Sequence, residues 1–220
     1  MDDGPPPGRI AAGTLAQRER HALADLFDEV GPDAPTLCEG WATRDLAAHL
    51  VLREGHPAAI GVAVPPAAAW TERTGRRLAG SDYGQLVERF RNGPPRMSPM
   101  RLPGLDRSLN TFEHFVHHED VRRARPQWRP RDLAPADQQE LWGRLRRLAR
   151  WYLRSASVPV HLVAPGYGGT RSGGDGDPVT VTGAPAELVL LVHGRRNEAV
   201  TEVTGPDEAV ERWNRADLHV

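Results

Sequence analysis

Leu105, Leu109, Phe112 and Val116 recur at steps of four, three and four, and Pro126 closes the stretch. Residues three and four apart share one face of an α-helix, so this spacing predicts a helix over about 104–125 with one side in a core. Such a stripe needs other stripes to pack on, and the chain supplies them. Leu15, Ala22, Leu26, Phe27 and Val30 predict a helix over about 10–30, ended by Gly31-Pro32. Thr43 and Asp45 suit the start of a helix over about 44–54 that carries Leu46, Leu50 and Val51. Ser81 and Asp82 open a short helix through Leu86, Val87 and Phe90, closed by Asn92-Gly93-Pro94-Pro95. Leu141, Leu145, Leu148 and Tyr152 mark a last long helix over about 134–155, with Trp142 and Ala149 beside the stripe.

Beyond residue 155 the pattern shortens. Val158–Val163 and Val179–Thr182 read as strands, Gly166–Asp177 as a Gly-rich mobile loop and Ala184–Gly194 as a short helix. Ala199–Thr204 alternates again and Asp207–Leu218 is helical. The expected organisation is therefore mainly α: a helical bundle over 9–155 and a small α+β domain over 156–220.

Composition excludes whole classes of function. All 28 basic residues are arginine, so neither a Schiff-base lysine nor a phosphate-loop lysine is available. The net charge of −1 argues against a nucleic-acid binder held by bulk positive charge. Cys38 is the single cysteine, which rules out an intrachain disulfide and a Cys-rich zinc module. No apolar run approaches the ~20 residues of a membrane span. The start of the chain, Met1–Gly8, is acidic and Pro-rich and lacks the basic-then-apolar order of a signal peptide, so a cytoplasmic location is expected.

Four of the nine histidines fall in two short windows: His49 on the second helix, and His114, His117 and His118 on the fourth. Glu113 and His117 are four apart and share a face next to the Leu109/Phe112/Val116 stripe. With one histidine from a neighbouring helix they make a His₂Glu set, the form of a catalytic metal site with an open position. The spacing alone also describes an ordinary helix pair worth a few tenths of a kcal/mol, and His49 alone an interior histidine. His118-Glu119 begins an H-E-x-x-H motif, but Arg122 occupies its last place. Cys38 reads as a small packed residue and Trp41 as a bundle anchor. Asp120, one turn beyond His117, suits either an orienting partner for a ligand histidine or a surface pair with Arg123. Arg53 and His56, four and seven residues past His49, are candidates for contact with an anionic substrate. So are Arg195, Arg196 and part of the run Arg144, Arg146, Arg147, Arg150 and Arg154, which otherwise reads as a solvated face.

Thr36-Leu-Cys-Glu-Gly-Trp-Ala-Thr-Arg-Asp-Leu-Ala-Ala-His49-Leu resembles the opening motif of the mycothiol-dependent maleylpyruvate isomerase family, and Glu113-His-Phe-Val-His117-His-Glu-Asp120 resembles its metal helix. That family belongs to the DinB-like superfamily of four-helix-bundle metal enzymes. The segments at Val179–Gly183, Glu187–Arg195 and Val203–Asp207 resemble its small C-terminal domain, and Arg53-Glu-Gly-His-Pro57 resembles a segment shared by an actinobacterial subgroup.

The resemblance implies a DinB-like four-helix bundle, with His49, Glu113 and His117 as metal ligands. Zn²⁺ is the expected ion, with Ni²⁺ or Fe²⁺ as alternatives for an N₂O donor set. It also implies thiol-linked chemistry, with mycothiol as cosubstrate: a transferase or isomerase acting on a small electrophile. Metal-assisted hydrolysis, and metal or ligand binding without turnover, are the alternative expectations. The expected partners are small molecules and a low-molecular-weight thiol, with no nucleic acid or membrane, in a monomer or dimer.

Overall fold

The structure is a computed structural model that describes residues 13–55, 68–94 and 103–218, the side chains of 103–109 excepted. Eight helices and a four-stranded sheet account for most of these residues. The chain divides into two compact units, 1–126 and 127–220.

The first unit is helical. Helix α1 (Leu15–Val30) is opened by a capping box in which the Thr14 hydroxyl accepts from Gln17 N–H and the Gln17 side chain accepts from Thr14 N–H. Helix α2 (Thr43–Gly55) starts differently from the expected cap. Asp45 Oδ2 accepts from Ala42 N–H at 3.0 Å, while the Thr43 hydroxyl donates back to the Gly31 carbonyl. Helices α3 (Ala68–Ala79), α4 (Tyr83–Arg91) and α5 (Pro103–Arg123) complete the unit. Helix α1 packs on α4 and α5, and α2 packs on α3 and α4.

Leu23 and Phe27 of α1, Leu46 and Leu50 of α2, Leu86, Val87 and Phe90 of α4 and Val121 of α5 form one buried cluster. Phe27 and Phe90 meet edge to face with centroids 6.0 Å apart. Phe112 and Val116 are buried as their spacing predicts. Helix α3 is not foreseen from the sequence because its apolar residues are few: Leu78 and Ala79 pack on the core only in part, none of its residues is fully buried, and Trp70 is 44% exposed.

The second unit combines helix and sheet. Helix α6 (Pro135–Tyr152) belongs here, so the division falls after Pro126 and not near residue 155. Its buried residues Leu141, Trp142 and Leu145 explain why, since α6 packs on α7 (Pro185–Val192) and strand β2. Leu148, counted into that stripe from spacing, is instead 44% exposed. The sheet runs β2-β1-β3-β4, from β1 (Val160–Ala164), β2 (Gly168–Ser172), β3 (Val179–Gly183) and β4 (Thr201–Thr204). β1 pairs antiparallel with β2 and parallel with β3, and β3 pairs antiparallel with β4.

β2 occupies much of the segment expected to be a mobile loop. Its residues are Gly, Thr, Arg and Ser with no alternating apolar side chains, and pairing with the edge of β1 and packing against α6 order them. Helix α7 is buried along its whole length, and α8 (Asp207–Arg215) sets the buried Trp213 toward β3. Among the described residues no helix is long and apolar enough to cross a membrane.

Replacing Phe27 by Ala removes the centre of the first unit's core and is expected to cost about 3–5 kcal/mol. Urea denaturation of that unit measures it; a loss below about 1 kcal/mol would contradict the packing described.

Candidate metal centre

Helices α2 and α5 set the site. On α5 the four-residue step brings Glu113 and His117 to one face, and His117 Nε2 lies 3.4 Å from Glu113 Oε1. From α2, His49 Nε2 reaches the same oxygen at 3.0 Å. The two imidazole rings meet edge to face with centroids 5.5 Å apart. The three residues predicted from sequence therefore converge, with one donor atom from each lying within 4.8 Å of the others.

Arg53, one turn past His49, places its Nε 3.2 Å from the same Glu113 oxygen and donates from its terminal nitrogen to Asn110 Oδ1 at 2.7 Å. His56 lies outside the described residues. Asp120 is fully buried and accepts from His117 Nδ1–H at 2.8 Å. The alternative of a surface pair with Arg123 does not hold, since Arg123 is itself buried and bound to Glu119 at 2.6 Å.

Two residues read as packing groups stand closer to the site than expected. The loop before α2 is tied to α5 by Leu37 N–H, which donates to the Asp120 carbonyl at 3.1 Å. Gly40 turns the loop in the left-handed region (φ 73°), where a side chain would be strained. Cys38 Sγ is thereby brought 3.3 Å from Asp120 Oδ2. Trp41 is not a buried anchor: it is 37% exposed and its indole lies against the His49 ring, with centroids 5.2 Å apart. No periodicity could reveal these contacts, because loop residues carry none.

The other two histidines of α5 face elsewhere. His114 is fully buried, with Nε2 2.5 Å from Glu54 Oε1 and Nδ1 2.8 Å from the Ala16 carbonyl. His118 Nδ1 lies 2.8 Å from Glu19 Oε2. Arg195 and Arg150 belong to the second unit: Arg195 donates to the His193 carbonyl, and Arg150 is exposed in the last turn of α6.

The donor set suits a divalent cation on chemical grounds. With Asp120 accepting from Nδ1–H, a neutral His117 carries its lone pair on Nε2, which faces a carboxylate oxygen. Two lone pairs at that distance repel unless a proton or a cation lies between them. For N and O donors 2.0–2.1 Å from zinc, tetrahedral geometry separates the donors by roughly 3.3–3.4 Å. The observed 3.0 and 3.4 Å lie close to that.

Compared with models of known protein families, with curated proteins and with solved structures, the chain has no match. A cleft of about 400 Å³ between α2 and α3 opens beside the site, lined by Trp41, His49, Leu52, Arg53, Glu72 and Arg76 among others.

In the absence of a cation the same atoms form a charged pair. Burial works against an ionised Glu113. Hydrogen bonds to His117 and His49, and the charges of His117 and Arg53, outweigh it and hold the carboxyl well below its usual range. Burial likewise works against a charged His117, but Asp120, Cys38 and Glu113 hold it well above the usual histidine value.

The stability carried by charged His117 is complete below its unfolded value of about 6.5 and is lost as pH rises through its higher folded value. That of Glu113 is complete above its unfolded value of about 4.5 and is lost as pH falls through its lower folded value. For chelator-treated protein, these two groups therefore support the thermal midpoint most between those values. The midpoint is expected to drop toward pH 9, with a shallower drop in His117→Gln. An equally steep alkaline drop in the variant would count against this assignment.

Proposed function

We propose that this chain is a metal-dependent enzyme of the DinB-like, mycothiol-dependent maleylpyruvate isomerase kind, with the first unit's helices as its bundle. It would act as a thiol-linked transferase or isomerase on a small electrophilic substrate. The observation that carries the reading is the convergence of His49 Nε2 and His117 Nε2 on one oxygen of Glu113. The thiol and the reaction class come from the two sequence motifs that resemble that family.

His49, Glu113 and His117 would hold the cation, Zn²⁺ being the expected ion for two imidazoles and a carboxylate. Bound there, a divalent cation supplies Lewis-acid chemistry that makes a thiol or water nucleophilic near neutral pH. The protein's own groups do the rest. Asp120 keeps the proton of His117 on Nδ1, so that Nε2 offers its lone pair to the site. The Trp41 indole lies against the His49 ring. Arg53, which borders both Glu113 and the cleft, can meet negative charge on a substrate or on a developing oxyanion. The cleft's volume suits a small molecule.

Metal analysis of the purified protein tests the first step. The wild type is expected to hold one divalent ion per chain, His117→Ala to lose it while keeping its helical circular dichroism, and Asp120→Asn to bind it about 10–100-fold more weakly. Full metal occupancy in His117→Ala would refute the site. For the chemistry, the metal-loaded protein is assayed against a panel of electrophiles with and without a small thiol. Turnover that requires both metal and thiol is expected. Turnover with metal and water alone would make the enzyme a hydrolase, and metal binding with no turnover across the panel would mark a binding protein.

A further inference from the structure

His117 has two ring nitrogens, and the proposed metal centre uses only Nε2. Around Nδ1 stands a second group of donors. Asp120 Oδ2 is 2.8 Å from Nδ1, Cys38 Sγ is 3.3 Å from that oxygen, and Sγ and Nδ1 are 3.8 Å apart. The three donors lie within 4.8 Å of one another and come from two elements, the loop before α2 and helix α5. Cys38 is part-exposed, so an ion can reach it from solvent, whereas Asp120 is fully buried.

We propose that Cys38, His117 through Nδ1, and Asp120 form a second cation site, selective for soft divalent ions such as Cd²⁺ and exclusive with the His49–Glu113–His117 set. Ligand chemistry sets the selectivity: thiolate sulfur prefers soft ions, while two imidazoles and a carboxylate suit borderline ones. A thiolate and a carboxylate together also balance a divalent charge. Starting from metal-free protein with a charged His117, binding releases two protons to solvent, one from the thiol and one from Nδ1, and Nε2 keeps its own proton. A neutral imidazole has one lone pair, so once Nδ1 holds a cation Nε2 is a donor no longer. The ring thus serves one set or the other. The proposal does not depend on the function proposed above, since these donors are in place whether or not the first set is ever loaded.

The test uses the full chain, reduced and freed of metal. Cd²⁺ is titrated while the ultraviolet cadmium–thiolate charge-transfer absorption is followed, and Co²⁺ reports the first set through its visible bands. The thiolate absorption is expected to saturate at one equivalent and to be absent from Cys38→Ser. His49→Ala should retain it at unchanged or higher affinity. Asp120→Asn should need at least about tenfold more Cd²⁺, the scale on which removing a supporting carboxylate acts. Co²⁺ bound to the first set should lose its visible bands as Cd²⁺ is added. Absence of the thiolate absorption in the wild type overturns the proposal. So does unchanged Cd²⁺ affinity in Asp120→Asn, which would show a thiol acting alone, and so does survival of the cobalt bands at saturating cadmium. Should Asp120→Asn fail to fold, the wild-type competition decides. If Co²⁺ never binds but the cadmium pattern holds in the wild type and its variants, the metal-centre reading fails and this one stands.

Discussion

A single carboxylate oxygen, Oε1 of Glu113, ties α2 to α5. It receives His49 and Arg53 from one helix and His117 from its own. A part-buried carboxylate at that position is stable only if positive charge or hydrogen-bond donors surround it, since desolvation disfavours its ionised form. The surrounding residues meet that need in layers. Asn110 holds the far end of Arg53, and Asp120 fixes the outer nitrogen of His117. The loop before α2 is anchored to the backbone of Asp120.

Helix α5 presents chemically different polar surfaces on its sides. One carries Glu113 and His117, part-exposed beside the cleft. Another carries His114 and His118, which pair with Glu54 of α2 and Glu19 of α1 in the interior. The buried group is a structural lock. Arg20 and His114 both bind Glu54 Oε1, and removing one partner of such a buried pair typically costs about 3–5 kcal/mol because a charge is left uncompensated. Its hydrogen bonds join α1, α2 and α5. The part-exposed group keeps donors directed at a shared point that solvent can reach, and this difference in access makes one a candidate for chemistry and the other scaffolding.

Much of this was legible in the chain. The stripes of α1, α2, α4 and α5 were readable because long helices with one buried face impose a 3.6-residue period on their apolar residues. Glu113 and His117 were readable for the same reason, the spacing itself placing two donors on one face. Helix α3 and strand β2 were not, because their apolar signal is sparse: one buries no residue fully and the other is a Gly-rich edge strand. The placement of α6 with the sheet was equally hidden, since a buried stripe announces that a helix packs but not on what.

The sequence by itself determined helices α1, α2, α4 and α5, the change of texture beyond α6, and the residues able to act as donors. Each of these is a local property, set by periodicity, capping and side-chain chemistry. Tertiary structure decided which donors meet. Spacing singled out His117 beside Glu113, but only the packing brings His49 onto the same carboxylate oxygen and gives His114 and His118 to interior pairs. Cys38 and Trp41 acquired their places only when the loop closed onto α5. The physical reason is that a donor's partner across 60 or more residues depends on the rotation and depth at which two helices pack. That is settled by the joint fit of their apolar faces and recorded in no short stretch of the chain.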